Sequence, residues 1–191
     1  MSKGRLEAFS DGVIAIIITI MVLDLRVPHG SSVKELTPLL PVFLSYILSF
    51  IYVGIYWNNH HHMLHVCTAV TGAMLWANLH LLFWLSLLPF ATGWMGENHF
   101  AGAPTALYGV VLLMAGIAYY VLQQTIIGAQ GYDSILKSAV GRDWKAKVSL
   151  VLCLAGIVVA LRSPRIADAM FVFPALLWFI PDRRIEKKLT I

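Results

Sequence analysis

Long apolar runs separated by short polar stretches organise this chain. A helix needs roughly 20 apolar residues to cross the hydrocarbon core of a bilayer. Six runs approach that length: 6–25, 36–57, 70–90, 104–127, 145–161 and 166–180. They predict an all-α integral membrane protein with six transmembrane helices per subunit. The last two runs are short. A mismatch of a few Å costs only fractions of a kcal/mol per Å, and a five-span alternative, with that pair as a re-entrant hairpin, stays open. Pro38 and Pro41 fall in the first turns of the second run, where a missing N–H is tolerated. Pro174 lies mid-run and predicts a kink. The chain has no visible internal repeat or low-complexity segment.

Composition agrees with the pattern. The 191 residues are 59% hydrophobic and 13% charged, against roughly 45–50% and about 25% in soluble domains. No hydrophilic block is long enough for a separate soluble domain, so 1–191 reads as one membrane domain. The net charge of +4 does not point to nucleic acid, because the basic residues lie in loops and at the termini. There they orient a membrane protein. With six spans, one side holds Lys3, Arg5, Lys137, Arg142, Lys145, Lys147, Arg183, Arg184, Lys187 and Lys188. The other holds Arg26, Lys34, Arg162 and Arg165. Both termini are therefore expected on the cytoplasmic side of the cell membrane. The basic loop 137–147 and the tail 183–188 are expected against anionic lipid head groups. Trp57, Trp94, Trp144 and Trp178 fall near run ends, as interfacial belts require. Gln123 and Gln124 are expected at the interface as well.

Two other readings of the composition fail. Lys3 and Arg5 ahead of the run 13–23 imitate a secretory signal, but Glu7 and Asp11 interrupt it and no small-x-small site follows Leu23. The segment is expected to stay on the protein. Cys67 and Cys153 are too few for a disulfide framework.

The first run carries the chemistry. Asp11 stands at its start, and Thr19 is the only polar side chain between Asp11 and Asp24. At 100° per residue, Arg5, Phe9, Ile16, Thr19, Ile20 and Leu23 form one stripe, within about 60° of Ile16. Asp11 lies nearly opposite, at about 220°, and Ser10 at about 120°. A carboxylate in a membrane helix is expensive and normally finds a partner or a function. Donors are concentrated at the end of the second run, Trp57-Asn58-Asn59-His60-His61-His62-Met63-Leu64-His65, and at Trp76 and Asn78. Asp11 is expected to accept from a Trp N–H, an Asn amide or a His N–H, and so to tie the base of the first helix to the next two.

Arg5-x-x-x-Phe9-Ser10-Asp11 resembles the signature that opens the first helix of the transmembrane protein 175 family. These are endosomal and lysosomal potassium channels and their single-repeat prokaryotic relatives. Trp57-x-x-His60-His61, the Leu-Leu-Pro-Phe at 87–90 and the six runs extend the resemblance along the chain. The resemblance implies a homotetramer, with helix one of each subunit lining a central pore for K⁺ and other monovalent cations. It implies a constriction of Ile16, Ile20 and Leu23 in place of a TVGYG filter, which this chain lacks. Arg5, Phe9, Ser10 and Asp11, with Trp57, His60, His61 and Asn78, would hold the pore base together. No cofactor is implied.

An apolar ring of this kind gates by dewetting. Thr19 either contributes to potassium preference or back-bonds to the Ala15 carbonyl, as Thr does in membrane helices. Asp24 stands either in an outer vestibule or against Arg26. His61 and His65, at i and i+4, share a helical face and could chelate zinc, but no carboxylate or cysteine except Cys67 stands at ligand spacing. A hydrogen-bonded junction is the simpler reading, and histidines there leave room for pH modulation. A proton-coupled transporter using Asp11 and a helix-two histidine is the main alternative. It would bring inverted repeats and broken midplane helices. A Ser10–Asp11–His60 hydrolase fails on geometry, since a triad needs the His between nucleophile and acid.

Overall fold

The computed structural model describes residues 2–131, 135–140 and 144–179. Arg142 and the basic tail 183–188 lie outside them, as does the end of the sixth run. The described residues form eight α-helices: α1 (Lys3–Leu23), α2 (Leu40–His65), α3 (Gly72–Ser86), α4 (Leu88–Glu97), α5 (Gly102–Gln130), α6 (Ile135–Val140), α7 (Trp144–Ala160) and α8 (Pro164–Phe179). A 3-10 helix, Val33–Leu39, leads into α2.

Local chemistry sets the boundaries. The Ser32 hydroxyl accepts from the Lys34 N–H at 3.3 Å and starts the 3-10 turn. Pro38 lies inside that turn, and Pro41 sits in the first positions of α2. Thr71 caps α3 by accepting from the Met74 N–H at 3.3 Å. The third run does not stop at residue 90. It breaks at Leu87 and continues as α4 through Glu97. Pro89 has no N–H for the Leu85 carbonyl, so a single helix cannot pass this point with its ladder intact. Gly131, at φ 87°, ends α5 in a conformation that favours glycine.

Four helical stretches are long and apolar enough to cross a membrane: Lys3–Leu23, Val33–His65, Gly72–Glu97 and Gly102–Gln130. The remaining two expected spans correspond to α7 and α8, of 17 and 16 residues. Helix α8 runs on through Pro174. Proline removes the donor for the Met170 carbonyl and crowds the turn before it. The Tyr52 hydroxyl from α2 donates to the neighbouring Phe171 carbonyl at 2.6 Å, bringing a donor to that turn.

Helix α1 packs on α2, α3 and α4, while α5 packs on α3, α4, α7 and α8. Phe171, fully buried, is the centre of the second group. It lies against Gly109 of α5 and Gly156 of α7, both close enough that a methyl group there would collide with its ring. Small residues at such contacts let helix backbones approach, which is how helices associate where lipid supplies no hydrophobic drive. Hydroxyls join α2, α4 and α5: Ser49 bonds Thr92 at 2.6 Å and donates to the Tyr108 hydroxyl at 3.1 Å.

Gly156→Ala should cost about 1–3 kcal/mol through overpacking against Phe171. Thermal unfolding in detergent measures it. Phe171→Leu in the same chain should restore part of the loss, because the two sites are in contact.

Candidate functional site

Helix α1 presents two different faces. Leu6, Ser10, Ile14, Ile17 and Met21 are buried within the subunit. Ile16, Ile20 and Leu23 remain 57%, 45% and 78% exposed. On a helical wheel the buried face is centred about 120° from the Ile16 stripe. Arg5, Phe9 and Thr19 lie on the exposed side. An apolar helix with one face packed and another apolar face bare has further surface to bury or to present to a conduit.

The packed face is fixed by a hydrogen-bond chain with one direction. His60, on α2, is buried, and so is Asn78, on α3. The Asn78 Nδ2 donates to Ser10 Oγ at 3.0 Å, and Ser10 Oγ donates to the Leu6 carbonyl at 2.9 Å. His60 Nε2 lies 2.7 Å from Asn78 Oδ1. A carbonyl-type oxygen only accepts, so His60 must carry its proton on Nε2. The chain therefore runs His60 to Asn78 to Ser10 to the α1 backbone. It places Ser10, not Asp11, at the buried join of the three helices.

Asp11 has one of its expected donors. Trp57 Nε1 donates to Asp11 Oδ1 at 3.0 Å, on the exposed surface of the subunit. The expected Asn donor goes to Ser10 instead and the expected His donor to Asn78, because Ser10 faces α3 and Asp11 lies about 100° round the helix from it. The His61 ring packs beside Trp57 and His65, with centroids 6.5 and 6.0 Å away. Arg5 and Phe9 join neither set; both are exposed. Lys3 Nζ, by contrast, donates to the His65 carbonyl, tying the α1 start to the α2 end. No group of three His, Cys, Asp or Glu side chains able to hold a metal ion occurs among the described residues. Cys67 and Cys153 are free thiols.

Thr19 does back-bond, but to Ile16 rather than Ala15. Its hydroxyl donates to the Ile16 carbonyl at 2.9 Å. The oxygen keeps its lone pairs for another partner. At the far end of α1, Asp24 turns toward α4, its carboxylate beside Gly93. Burial, then the nearby Glu97 carboxylate, holds its pKa above the ordinary aspartate value. Arg26 pairs with Glu97 at 3.0 Å, not with Asp24. Gln123 and Gln124 differ in burial. Gln123 is buried on α5, while its neighbour Gln124 is exposed.

Comparison with known proteins places these features. A family model described as the endosomal/lysosomal potassium channel TMEM175 matches residues 5–89. A protein of Chryseobacterium sp. strain P1-3, named as a potassium channel, is 57% identical over 189 residues, covering 99% of this chain and 98% of its own. The human protein named endosomal/lysosomal proton channel TMEM175 is 42% identical over 96 residues, 44% of this chain and 19% of its own length. The crystal structure of a lysosomal potassium-selective channel TMEM175 homolog from Chamaesiphon minutus superposes with a TM-score of 0.82. It is 25% identical and covers 94% of this chain and 97% of that one.

Asn78→Leu should destabilise the subunit by about 1–3 kcal/mol, since it strands buried polar groups. Trp57→Phe, on the exposed surface, should cost at most about 1 kcal/mol. Equal thermal shifts for the two would contradict the buried join. Asp24 holds a proton more tightly folded than unfolded. Its contribution to stability therefore falls as pH rises from the ordinary value of 3.8 through the raised one. Asp24→Asn should flatten that part of the pH–melting profile, by a small amount because the group is largely exposed.

Proposed function

The chain belongs to the TMEM175 family of potassium channels, and on that premise we propose that it assembles as a homotetramer conducting K⁺ passively through a central pore lined by α1. The carrying observation is the exposed apolar stripe of α1, opposite a face anchored to α2 and α3. One helix cannot enclose a pore, so an oligomer must complete it. In the assembled channel Ile16, Ile20 and Leu23 form successive apolar rings. Water, and ions with it, leave such a constriction when its radius falls too low.

The Thr19 hydroxyls lie beside the Ile16 ring and contribute to potassium preference. Their bond to the backbone aims the oxygen lone pairs outward from α1, which suits a cation ligand. Other monovalent cations permeate less well. Ser10, Asp11, Trp57, His60, His61 and Asn78 mount the pore helix at its base, and Arg5 and Phe9, exposed on the single subunit, join them through contacts between subunits. Helices α7 and α8 complete six spans, and both termini lie in the cytoplasm of a cell whose plasma membrane carries the channel. The expected basic loop is largely helical, with Lys137 on α6 and Lys145 and Lys147 on α7, and these residues meet anionic lipid there. Conduction needs no cofactor.

A reversal potential tests this reading. Purified protein in planar bilayers, with K⁺ on one side and Na⁺ on the other, should give a current reversing toward the K⁺ equilibrium potential. Ile16→Ala should raise the current several-fold or weaken selectivity at equal expression; an unchanged current would remove Ile16 from the gate. Reversal at the proton equilibrium potential would shift the reading to proton conduction, the activity named for the human relative. No current from intact oligomer would move it to proton-coupled transport through Asp11 and His60.

A further inference from the structure

A cavity lies between α2, α5, α7 and α8, and α1 contributes no wall to it. It holds ≈ 710 Å³ of unfilled space, part of it open to the outside. Most of its walls are apolar, and among the described residues no Asp, Glu, Lys, Arg or His lines it.

The polar groups in the walls divide into two sets. Trp178 Nε1 donates to Ser149 Oγ at 3.0 Å, and Ser149 donates to the Lys145 carbonyl at 2.8 Å. Asn59 Nδ2 donates to the Ile55 carbonyl at 2.8 Å. These groups are occupied. Gln123 is different. Only 5% of it is exposed, it lines the cavity, and its carboxamide has no hydrogen bond to any described residue. The Tyr56 hydroxyl lines the same space and likewise lacks a hydrogen-bond partner among the described residues. A carboxamide offers two donors and an acceptor. At membrane depth, polar groups must be satisfied from within the protein or by a bound molecule. Water needs two to four polar partners, and walls that are mostly apolar suit it poorly.

We infer that this cavity binds an uncharged amphiphile, an apolar chain or ring ending in one hydroxyl, amide or ester carbonyl, with Gln123 recognising the polar end and Tyr56 beside it. A charged head group is unsuited, because no opposite charge lines the walls among the described residues. The inference does not depend on the conduction reading.

The test uses the purified full chain in lipid nanodiscs and a 1-octanol carrying a diazirine in its chain. Photolabelling should be saturable, should fall on residues lining the cavity, and should be displaced by excess 1-octanol. Gln123→Leu, which keeps the side-chain volume, should weaken labelling about tenfold, as loss of one good polar contact would. The same diazirine on octane, without the hydroxyl, should label wild type and Gln123→Leu alike. Gly116→Leu, which grows into the cavity from α5, should abolish both signals. Mass spectrometry of organic extracts distinguishes the source. A stoichiometric neutral lipid lost from Gln123→Leu marks the membrane as supplier; extracts without one mark a free amphiphile. Labelling that does not saturate, that spreads over lipid-facing positions, or that is unchanged in Gln123→Leu would overturn the inference.

Discussion

The rotation of α1 about its own axis is the constraint on which the other features rest. All its residues from Val13 to Leu23 except Thr19 are apolar, so hydrophobicity alone sets no preferred face. A slip of one residue would turn the helix by about 100° and exchange packed positions for bare ones. Ser10 prevents that. It is fully buried, receives Asn78 from α3, and passes its own proton to the Leu6 carbonyl. In hydrocarbon no water replaces a lost bond. The polar contact therefore selects a single rotamer of the whole helix, and the apolar contacts of Ile14, Ile17 and Met21 follow from it.

The all-helical character and the bare face of α1 were legible because both follow from repeated patterns. Run lengths report bilayer thickness, and the 100° step reports which positions share a side. The signature at Arg5 to Asp11 gave the family. What was not legible was partner choice between helices. Asp11 looked like the buried centre, because a carboxylate is the most conspicuous residue in an apolar run. Ser10, chemically modest and adjacent, holds that place. Helices apolar on every side leave no stripe to show which neighbour each residue meets, so Asn78 and His60 could not be assigned to one acceptor over the other. The burial of Gln123 was hidden for the same reason: α5 extends to Gln130 and carries Gln123 inside the packed bundle.

The subunit also separates its tasks in space. Helix α1 rests on α2, α3 and α4, and the side cavity is framed by α2, α5, α7 and α8. Helix α2 belongs to both groups. It carries Trp57 to Asp11 of α1 and His60 to Asn78 of α3, and Tyr52, Tyr56 and Asn59 toward the cavity. Anything that shifts α2 along its axis is felt by both.

The direction of the His60 chain has one more consequence. His60 only gives at Nε2, and Asn78 only receives there. Adding a second proton to the ring would occupy Nδ1 and leave every link from His60 to the α1 backbone in place. Acid would burden this joint with a buried charge but would not unfasten it. The mount of α1 is in that sense a ratchet of donors whose sequence survives protonation at its head, a property that a joint built on an acceptor histidine could not have.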